Sequence, residues 1–178
     1  MQFVLSNWYP AIIKKSMSQE IVISQILIKD NLTLVDELVG ALHVSELSLN
    51  IKTARWKDIK KDYLQYMMEC EEEADGKFFV AYDQQKAIGF IFGFVEVKDN
   101  SNFEIGEGND LYISEGYVNE TYRNLGVYGK LNNTFVESYS KQPIRRIIRY
   151  TLSNNETMQH WLVNKGFNAV RLVYEKWL

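Results

Sequence analysis

The chain of 178 residues has an ordinary globular composition, with 46% hydrophobic and 24% charged residues. That length fits one domain, which can bury roughly 70% of the surface of the unfolded chain. No apolar run approaches the ~20 residues of a membrane-spanning helix, and residues 1–13 lack the features of a secretory signal. One cysteine and two histidines allow no internal disulfide and leave little material for a zinc site. We therefore expect a cytoplasmic domain with no metal site and no contact with a membrane.

The net charge of −3 conceals an asymmetry along the chain. Residues 1–110 carry 11 Lys/Arg against 18 Asp/Glu, whereas residues 111–178 carry nine basic against five acidic residues. A basic C-terminal part suits a phosphate-bearing ligand and an acidic remainder suits a cationic one, although a split of this size also arises by chance. A nucleic-acid-binding protein would show a stronger basic excess and a matching motif, so we predict no nucleic-acid partner.

The first half of the chain predicts an extension followed by one strand and two helices. Residues 1–19 fit no regular period, and we interpret them as an N-terminal extension that packs on the domain or on a second subunit. The single domain, residues 20–178, opens with a β-branched segment at 20–29 that is typical of a strand. Two helical patterns follow, and the second places Cys70 on its apolar face, where a free cysteine is usually a small core residue.

After Gly76 the predicted strands and helices alternate. Residues 77–82 and 87–98 are typical of an antiparallel hairpin, whose second strand is long and apolar enough to lie at the centre of a sheet. The later predicted elements are a loop at 99–110, a strand at 111–118, a helix at 127–140, a strand at 145–152, a helix at 156–165 and a strand at 168–177. This order predicts an α/β (α+β) fold, with a mixed, mostly antiparallel sheet covered by helices on both faces.

The most informative stretch is the turn between the strand that ends at Val118 and the helix that begins at Val127. Gly126 lies in this turn. A strand–turn–helix with glycine in the turn exposes backbone N–H groups at a helix N-terminus, and these groups together with the helix dipole bind phosphate. The stretch has neither the Gly-Lys-Ser/Thr of a P-loop nor a GxGxxG fingerprint. Taken alone, it is also compatible with an ordinary turn.

Residues 123–128 (RNLGVY) resemble the Q/R-x-x-G-x-G/A motif of the GCN5-related N-acetyltransferase (GNAT) superfamily. Asn155, eleven residues before Gly166, resembles the second signature of that family, an asparagine that opens a helix ending in Gly-Phe. The chain is therefore identified as a member of the superfamily, which implies a GNAT-type fold and acetyl-CoA as cosubstrate. It departs from the family at Tyr128, where glycine or alanine is usual. It departs again at Leu162, where a tyrosine often protonates the departing thiolate.

The resemblance also implies which residues bind the cosubstrate. The N–H groups of Tyr117 and Val118 would lie against the pantetheine and the thioester, and Arg123 would add positive charge. Asn155 would contact the CoA arm. The pyrophosphate would be held by the turn and the start of the helix, through Asn124, Leu125, Gly126, Val127, Tyr128 and Gly129.

Glu115 is the candidate general base, because the family often keeps an acid facing the acceptor at this point, three residues before Val118. An ammonium substrate must lose a proton before it attacks, and a carboxylate can take that proton directly or through water. The alternative is an outward-facing strand residue paired with a lysine. The period-two pattern of the strand does not decide which sheet face Glu115 occupies, because a bulge would change that face.

Two further groups of residues have open roles at this point. The general acid could be Tyr128, His160 or water. Three arginines, Arg145, Arg146 and Arg149, are expected on the solvated edge of a strand, with contact to the nucleotide phosphate as the alternative.

The sequence therefore predicts an acetyl-CoA-dependent N-acetyltransferase that moves an acetyl group to a primary amine by direct attack in a ternary complex. The acceptor would be a small molecule or a protein amine, and the acidity of residues 99–110, with Glu104, Glu107 and Asp110, favours a cation such as a polyamine or an aminoglycoside. The alternative is a catalytically inactive GNAT-like domain that binds CoA as a sensor or a partner-binding module. Tyr174, Trp177 and the N-terminal extension could form the face of a homodimer.

Overall fold

The computed structural model describes residues 20–97 and 105–178. The N-terminal extension and Glu104 lie outside the described residues. The described strands are β1 (Ile21–Ile26), β2 (Lys77–Asp83), β3 (Lys86–Glu96), β4 (Asn109–Val118) and β5 (Ile144–Arg149). The described helices are α1 (Leu32–Leu49), α2 (Trp56–Glu73), α3 (Val127–Glu137) and α4 (Glu156–Asn164), and none of them has both the length and the apolar character needed to cross a bilayer.

The five strands form one sheet in the order β1-β2-β3-β4-β5. Neighbours from β1 to β4 are antiparallel, whereas β5 runs parallel to β4. One face of the sheet packs against α1 and α2, and the opposite face packs against α3. The predicted α/β fold, with its mixed and mostly antiparallel sheet between helices, is therefore confirmed.

The long apolar strand of the predicted hairpin lies at the centre of the sheet, as expected. Alternate residues of β3 are buried on opposite faces: Phe90 and Phe92 pack beneath α1 and α2, whereas Ile91 and Val95 pack beneath α3. Cys70 is buried on α2 in the first of these cores, in agreement with its interpretation as a core residue. Apolar side chains on both faces explain why this strand lacks the polar alternation of a half-exposed strand.

β4 differs from the other strands in having a bulge and an open edge. Phe92 of β3 lies opposite Glu115 and Gly93 lies opposite Ile113, so Ser114 is an extra residue in β4. The pairing with β5 ends at Ile113, and residues 114–118 therefore have no strand on that side among the described residues. A bulge shifts the alternation of side chains by one position. Counting alternate residues along β4 therefore assigns the wrong sheet face to the residues beyond the bulge.

The strand predicted at 168–177 is wrong. Residues 168–178 lie in no helix or strand and are exposed to solvent. No backbone hydrogen bond joins them to any other part of the chain that the structure describes. The β-branched composition that favoured a strand is only half of the requirement, because a strand forms where a neighbouring edge supplies hydrogen-bond partners.

Candidate active site

The turn between β4 and α3 has the backbone geometry of an anion site. Gly126 has a φ of 78° and Asn124 a φ of 63°, both in the left-handed region. A Cβ at Gly126 would meet no atom within 4 Å, so glycine is favoured there by the backbone conformation rather than by crowding. No side chain among the described residues caps the start of α3. The N–H groups of its first turn are therefore available to a ligand, with the positive end of the helix dipole behind them.

Arg123 fastens this turn to β4. Its Nε donates to the carbonyl oxygen of Val118 at 3.1 Å, and its Nη1 lies 3.5 Å from a carboxylate oxygen of Glu120. The side chain is still 42% exposed, which leaves part of the guanidinium accessible to an anion. The structure thus gives Arg123 a positioning role in the turn, and its contact with a phosphate stays a prediction.

The open edge of β4 presents backbone groups beside the turn. The N–H of Asn119 donates to Ile88 on β3 at 2.8 Å. Because successive residues of a strand point their N–H groups to opposite sides, those of Val118 and Gly116 face away from β3, toward the open edge. Gly116 was not among the residues predicted to bind the cosubstrate. The N–H of Tyr117 points toward β3, and the expected contact of Tyr117 with the cosubstrate stays a prediction.

The bulge places Glu115 on the sheet face covered by α1 and α2. The hydroxyl of Tyr63 on α2 donates a short hydrogen bond to Glu115 Oε1, and Ser114 Oγ lies 3.4 Å from the same oxygen. Burial raises the pKa of Glu115 to about 7, and the negative charge of Glu46 adds to the rise. The hydrogen bond from Tyr63 and the positive charge of Arg149 oppose it. A carboxyl group with this pKa can accept and release a proton near neutral pH.

Tyr63, which contacts Glu115, belongs to a cluster of aromatic side chains of α1 and α2. The rings of His43 and Trp56 are 4.9 Å apart, and the ring of Tyr63 lies 5.6 Å from His43 and 5.8 Å from Trp56. His43 Nδ1 is buried without a hydrogen-bond partner among the described residues. Burial also raises the pKa of Glu46 on α1. Two carboxyl groups in aromatic surroundings are suited to a cationic amine.

Tyr128 points from the start of α3 toward β4. A Cβ at Gly116 would lie 2.8 Å from Cε2 and 3.1 Å from the hydroxyl oxygen of Tyr128. On its other side the ring packs edge-on against Trp161 of α4, with the centroids 4.7 Å apart. The hydroxyl group is buried and has no hydrogen-bond partner among the described residues. Burial raises the pKa of Tyr128, which keeps the phenol protonated, although the positive charge of Arg149 opposes the rise.

Three other residues on or next to α4 have simpler surroundings. Asn155 Oδ1 accepts from the N–H of Met158 at 3.2 Å, so Asn155 caps α4. Its expected contact with the CoA arm stays a prediction. Leu162 is buried in place of the tyrosine usual in the family, and His160 is exposed.

The solvated edge expected for the three arginines is wrong. Arg145 and Asp110 are joined at 2.7 Å, with side chains only 6% and 4% exposed, and Arg146 contacts the same carboxylate at 2.7 Å. These ion pairs lower the pKa of Asp110 even though its burial acts in the opposite direction. Arg149 lies 5.6 Å from the ring centroid of Tyr128 and donates to the carbonyl of Ile113 at 3.4 Å. Asp110 therefore binds β4 to β5 and does not belong to an acceptor site.

Several site residues were missed because nothing in their local sequence marks them. Tyr63 matched the apolar face of α2, and Glu46 was one acid among many on α1. Only their shared approach to Glu115 gives them a role. Gly116 had a weak signal, since an isolated glycine in a strand often marks a close approach of another group.

Comparisons with known proteins agree with this geometry. The model of the acetyltransferase (GNAT) family matches residues 41–167. A protein from Pyrococcus furiosus has a similar structure, with a TM-score of 0.69 and 17% identity over 89% of this chain and 100% of that one. An aminoglycoside acetyltransferase from an uncultured soil metagenomic sample, solved with sisomicin, has a TM-score of 0.63 and 14% identity over 89% of this chain and 95% of that one.

A third similar structure is AAC(6')-Iy with a CoA-containing bisubstrate analogue. Its TM-score is 0.65, with 16% identity over 89% of this chain and 99% of that one. No curated protein sequence matches significantly. The structural likenesses show the fold, and the family model covers well over half of the sequence. The chain therefore belongs to the acetyltransferase (GNAT) family, whose members use acetyl-CoA.

Proposed function

We propose that the protein is an N-acetyltransferase that moves an acetyl group from acetyl-CoA to a cationic primary amine by direct attack in a ternary complex. The observation that carries the proposal is the position of Glu115. Its carboxyl group, with a pKa raised to about 7, adjoins Gly116, whose N–H faces the open edge of β4. A base and an N–H donor thus lie next to each other in the chain, as acyl transfer to an amine requires.

The proposed cosubstrate site is formed by residues that follow Gly116 in the chain. The uncapped start of α3, together with residues 124–129, supplies N–H groups and the helix dipole for the pyrophosphate. Val118 and Gly116 supply N–H groups along the open edge for the pantetheine and the thioester carbonyl. We expect Arg123, on the turn, and Asn155, at the start of α4, to flank this path.

In the proposed reaction, Glu115 accepts a proton from the ammonium group of the acceptor, directly or through water. The free amine then forms a C–N bond with the thioester carbonyl carbon, and the C–S bond breaks as the nitrogen loses a second proton to solvent. Glu115 releases its own proton to solvent, which restores the carboxylate. Tyr128 donates its hydroxyl proton to the departing thiolate, which leaves as the CoA thiol, and the phenol is protonated again from solvent. The protein contributes proximity and the N–H donors that polarise the carbonyl.

The acceptor side supports a cationic substrate. Glu46 and Glu115 give this side an acidic character, and burial raises the pKa of both carboxyl groups. The rings of His43, Trp56 and Tyr63 add faces that attract ammonium groups. Two structures with the same fold belong to aminoglycoside acetyltransferases or bind an acetylneamine-containing analogue, which favours polyamines and aminoglycosides as the first acceptors to test.

The proposed cosubstrate site predicts that acetyl-CoA and desulfo-CoA both bind the purified protein in calorimetric titrations. Replacing Gly126 by Asp places a negative charge at the start of α3, so we expect affinity for both ligands to fall by about tenfold or more. Asn133→Asp adds the same charge on an exposed position of α3 and should bind normally. Absence of binding to the unaltered protein would overturn the site. Binding without thiol release from any amine would favour the inactive CoA-binding module.

The proposed acid predicts that Tyr128→Phe lowers kcat by about 10²-fold and leaves the affinity for acetyl-CoA nearly unchanged. The phenylalanine ring keeps the packing on Gly116 and Trp161 and removes only the unpartnered hydroxyl group. The measurement is thiol release against pH, with Tyr150→Phe, an exposed tyrosine, as the matched control. Equal rates for Tyr128→Phe and the unaltered enzyme at every pH would mean that water protonates the thiolate.

A further inference from the structure

Arg149 is the last residue of β5, and its side chain lies at the point where β4 and β5 separate. The pairing of the two strands ends with Ile113 opposite Arg149. The Nη1 atom of Arg149 donates to the carbonyl oxygen of Ile113 at 3.4 Å. Its Nη2 atom lies 3.3 Å from the place that a Cβ at Gly116 would take. A guanidinium group therefore lies at the open edge of β4, next to the glycine whose N–H faces that edge.

The charge of Arg149 acts on groups of both sheet faces. On the face of α1 and α2, burial raises the pKa of Glu46 and of Glu115, and the positive charge of Arg149 opposes both rises. On the face of α3, burial raises the pKa of Tyr128, and Arg149 opposes this rise as well. The proposed base and the proposed acid thus lie within electrostatic reach of the same cation.

Arg149 keeps hydrogen-bonding capacity that its surroundings do not use. A guanidinium group has five N–H donors, and the Nε of Arg149 is buried without a hydrogen-bond partner among the described residues. Glu115 accepts from Tyr63 and Ser114 rather than from Arg149. A buried donor without a partner is unfavourable in a folded protein. A ligand that enters this gap with an oxygen atom would satisfy it.

We propose that Arg149 donates a hydrogen bond to the carbonyl oxygen of the acetyl thioester and stabilises the negative charge that forms there during the attack. This role rests on the proposed function, which takes the thioester to lie beside Gly116. As the C–N bond forms, the π electron pair of the carbonyl group moves to its oxygen, between the N–H of Gly116 and the guanidinium group. The pair returns as the C–S bond breaks, and Arg149 keeps its protons throughout.

The contact with Ile113 prepares the guanidinium group for this role. It holds the group in the gap before a ligand arrives, and a donor fixed in advance needs no reorganisation when charge develops. A charged donor also forms a hydrogen bond roughly twice as strong as a neutral one. Arg149→Lys would keep the charge but lose the planar fork that reaches Ile113 and a ligand at once.

The carbonyl stretch of bound acetyl-CoA tests the contact without any acceptor. Infrared difference spectra of acetyl-CoA with and without ¹³C at the thioester carbonyl isolate this vibration. A hydrogen bond from a cation weakens the C=O bond, so the stretch should move to higher wavenumber in Arg149→Met. Arg55→Met removes a cation whose side chain is 66% exposed and should leave the stretch unchanged. An equal stretch in the unaltered protein and in Arg149→Met would overturn the role.

Turnover supplies the second readout. Loss of one oxyanion donor should lower kcat of Arg149→Met by about 10²- to 10³-fold. Because loss of the positive charge also raises the pKa of Glu115, thiol release is compared at alkaline pH, where this carboxyl group is ionised in both proteins. Arg149→Lys should restore the pH profile and leave kcat low. Full kcat in Arg149→Lys would mean that Arg149 only balances the charge of Glu46 and Glu115, which would overturn the role.

Failure of this role is distinguishable from failure of the proposed function. Calorimetry decides whether the unaltered protein binds acetyl-CoA at all, and absence of binding removes the cosubstrate site. Normal binding with a stretch that Arg149→Met does not shift removes only the contact of Arg149. Circular dichroism checks the fold of each variant, and Arg149→Lys serves for both measurements if Arg149→Met does not fold.

Discussion

Replacing Glu115 by Gln will lower kcat for transfer to a cationic amine by about 10²- to 10⁴-fold. The affinity for acetyl-CoA should change little, because the carboxyl group lies on the acceptor face of β4. The base must be ionised to act, so kcat/KM of the unaltered enzyme should fall as the pH drops through about 7. The Glu115→Gln variant should not show this fall of kcat/KM at low pH. Rates would be followed by thiol release and affinity by calorimetry.

Glu107→Gln is the matched control for this loss, since Glu107 is an exposed acid and should leave both quantities unchanged. Folding provides a second control. The pKa of Glu115 is raised from 4.5 to about 7, so the native state binds more protons than the unfolded state between those values. Ionised Glu115 therefore destabilises the fold as the pH rises through this range. Glu115→Gln should unfold no more easily than the unaltered protein at pH values above about 7. Normal turnover in this variant would remove Glu115 from the reaction.

Replacing Asp110 by Asn will lower the free energy of unfolding by about 3–5 kcal/mol. The substitution removes the carboxylate that pairs with the guanidinium of Arg145, whose side chain is 6% exposed. Asp110 joins β4 to β5 near the beginning of their paired region, which ends at Ile113. Urea unfolding of the two proteins at neutral pH measures the difference.

Asp58→Asn is the matched control for Asp110→Asn. Arg55 and Asp58 are also joined at 2.7 Å, but their side chains are 66% and 45% exposed. Solvent screens such a pair, so its loss should cost less than about 1 kcal/mol. Similar losses for both variants would mean that the buried pair contributes no more than a surface pair.

Local patterns predicted most of the fold and the turn that we propose binds phosphate. The apolar run of β3, the helical periods and the glycine of the β4–α3 turn are all properties of adjacent residues. The face of Glu115 could not be predicted, because the extra residue in β4 becomes visible only when β4 is aligned with β3. The partners Tyr63 and Glu46 come from helices far away in the sequence.

The other failures have the same physical origin. Arg145 and Arg146 looked solvated because Asp110, their partner, is 35 and 36 residues away and comes next to them only through parallel pairing. Residues 168–177 have the composition of a strand yet form none, because a strand also needs a neighbouring edge to pair with. Contacts between distant segments are thus what the sequence pattern lacked in each case.

The fit between Gly116 and Tyr128 has a consequence for any redesign of the site. No room exists for a side chain at position 116 while the tyrosine ring occupies its present place. A return to the small residue usual in the family at position 128 would in turn leave a void between β4 and Trp161. The side chains at positions 116 and 128 therefore share one fixed volume between β4 and α4. Their combined size sets the depth of the groove between these two elements.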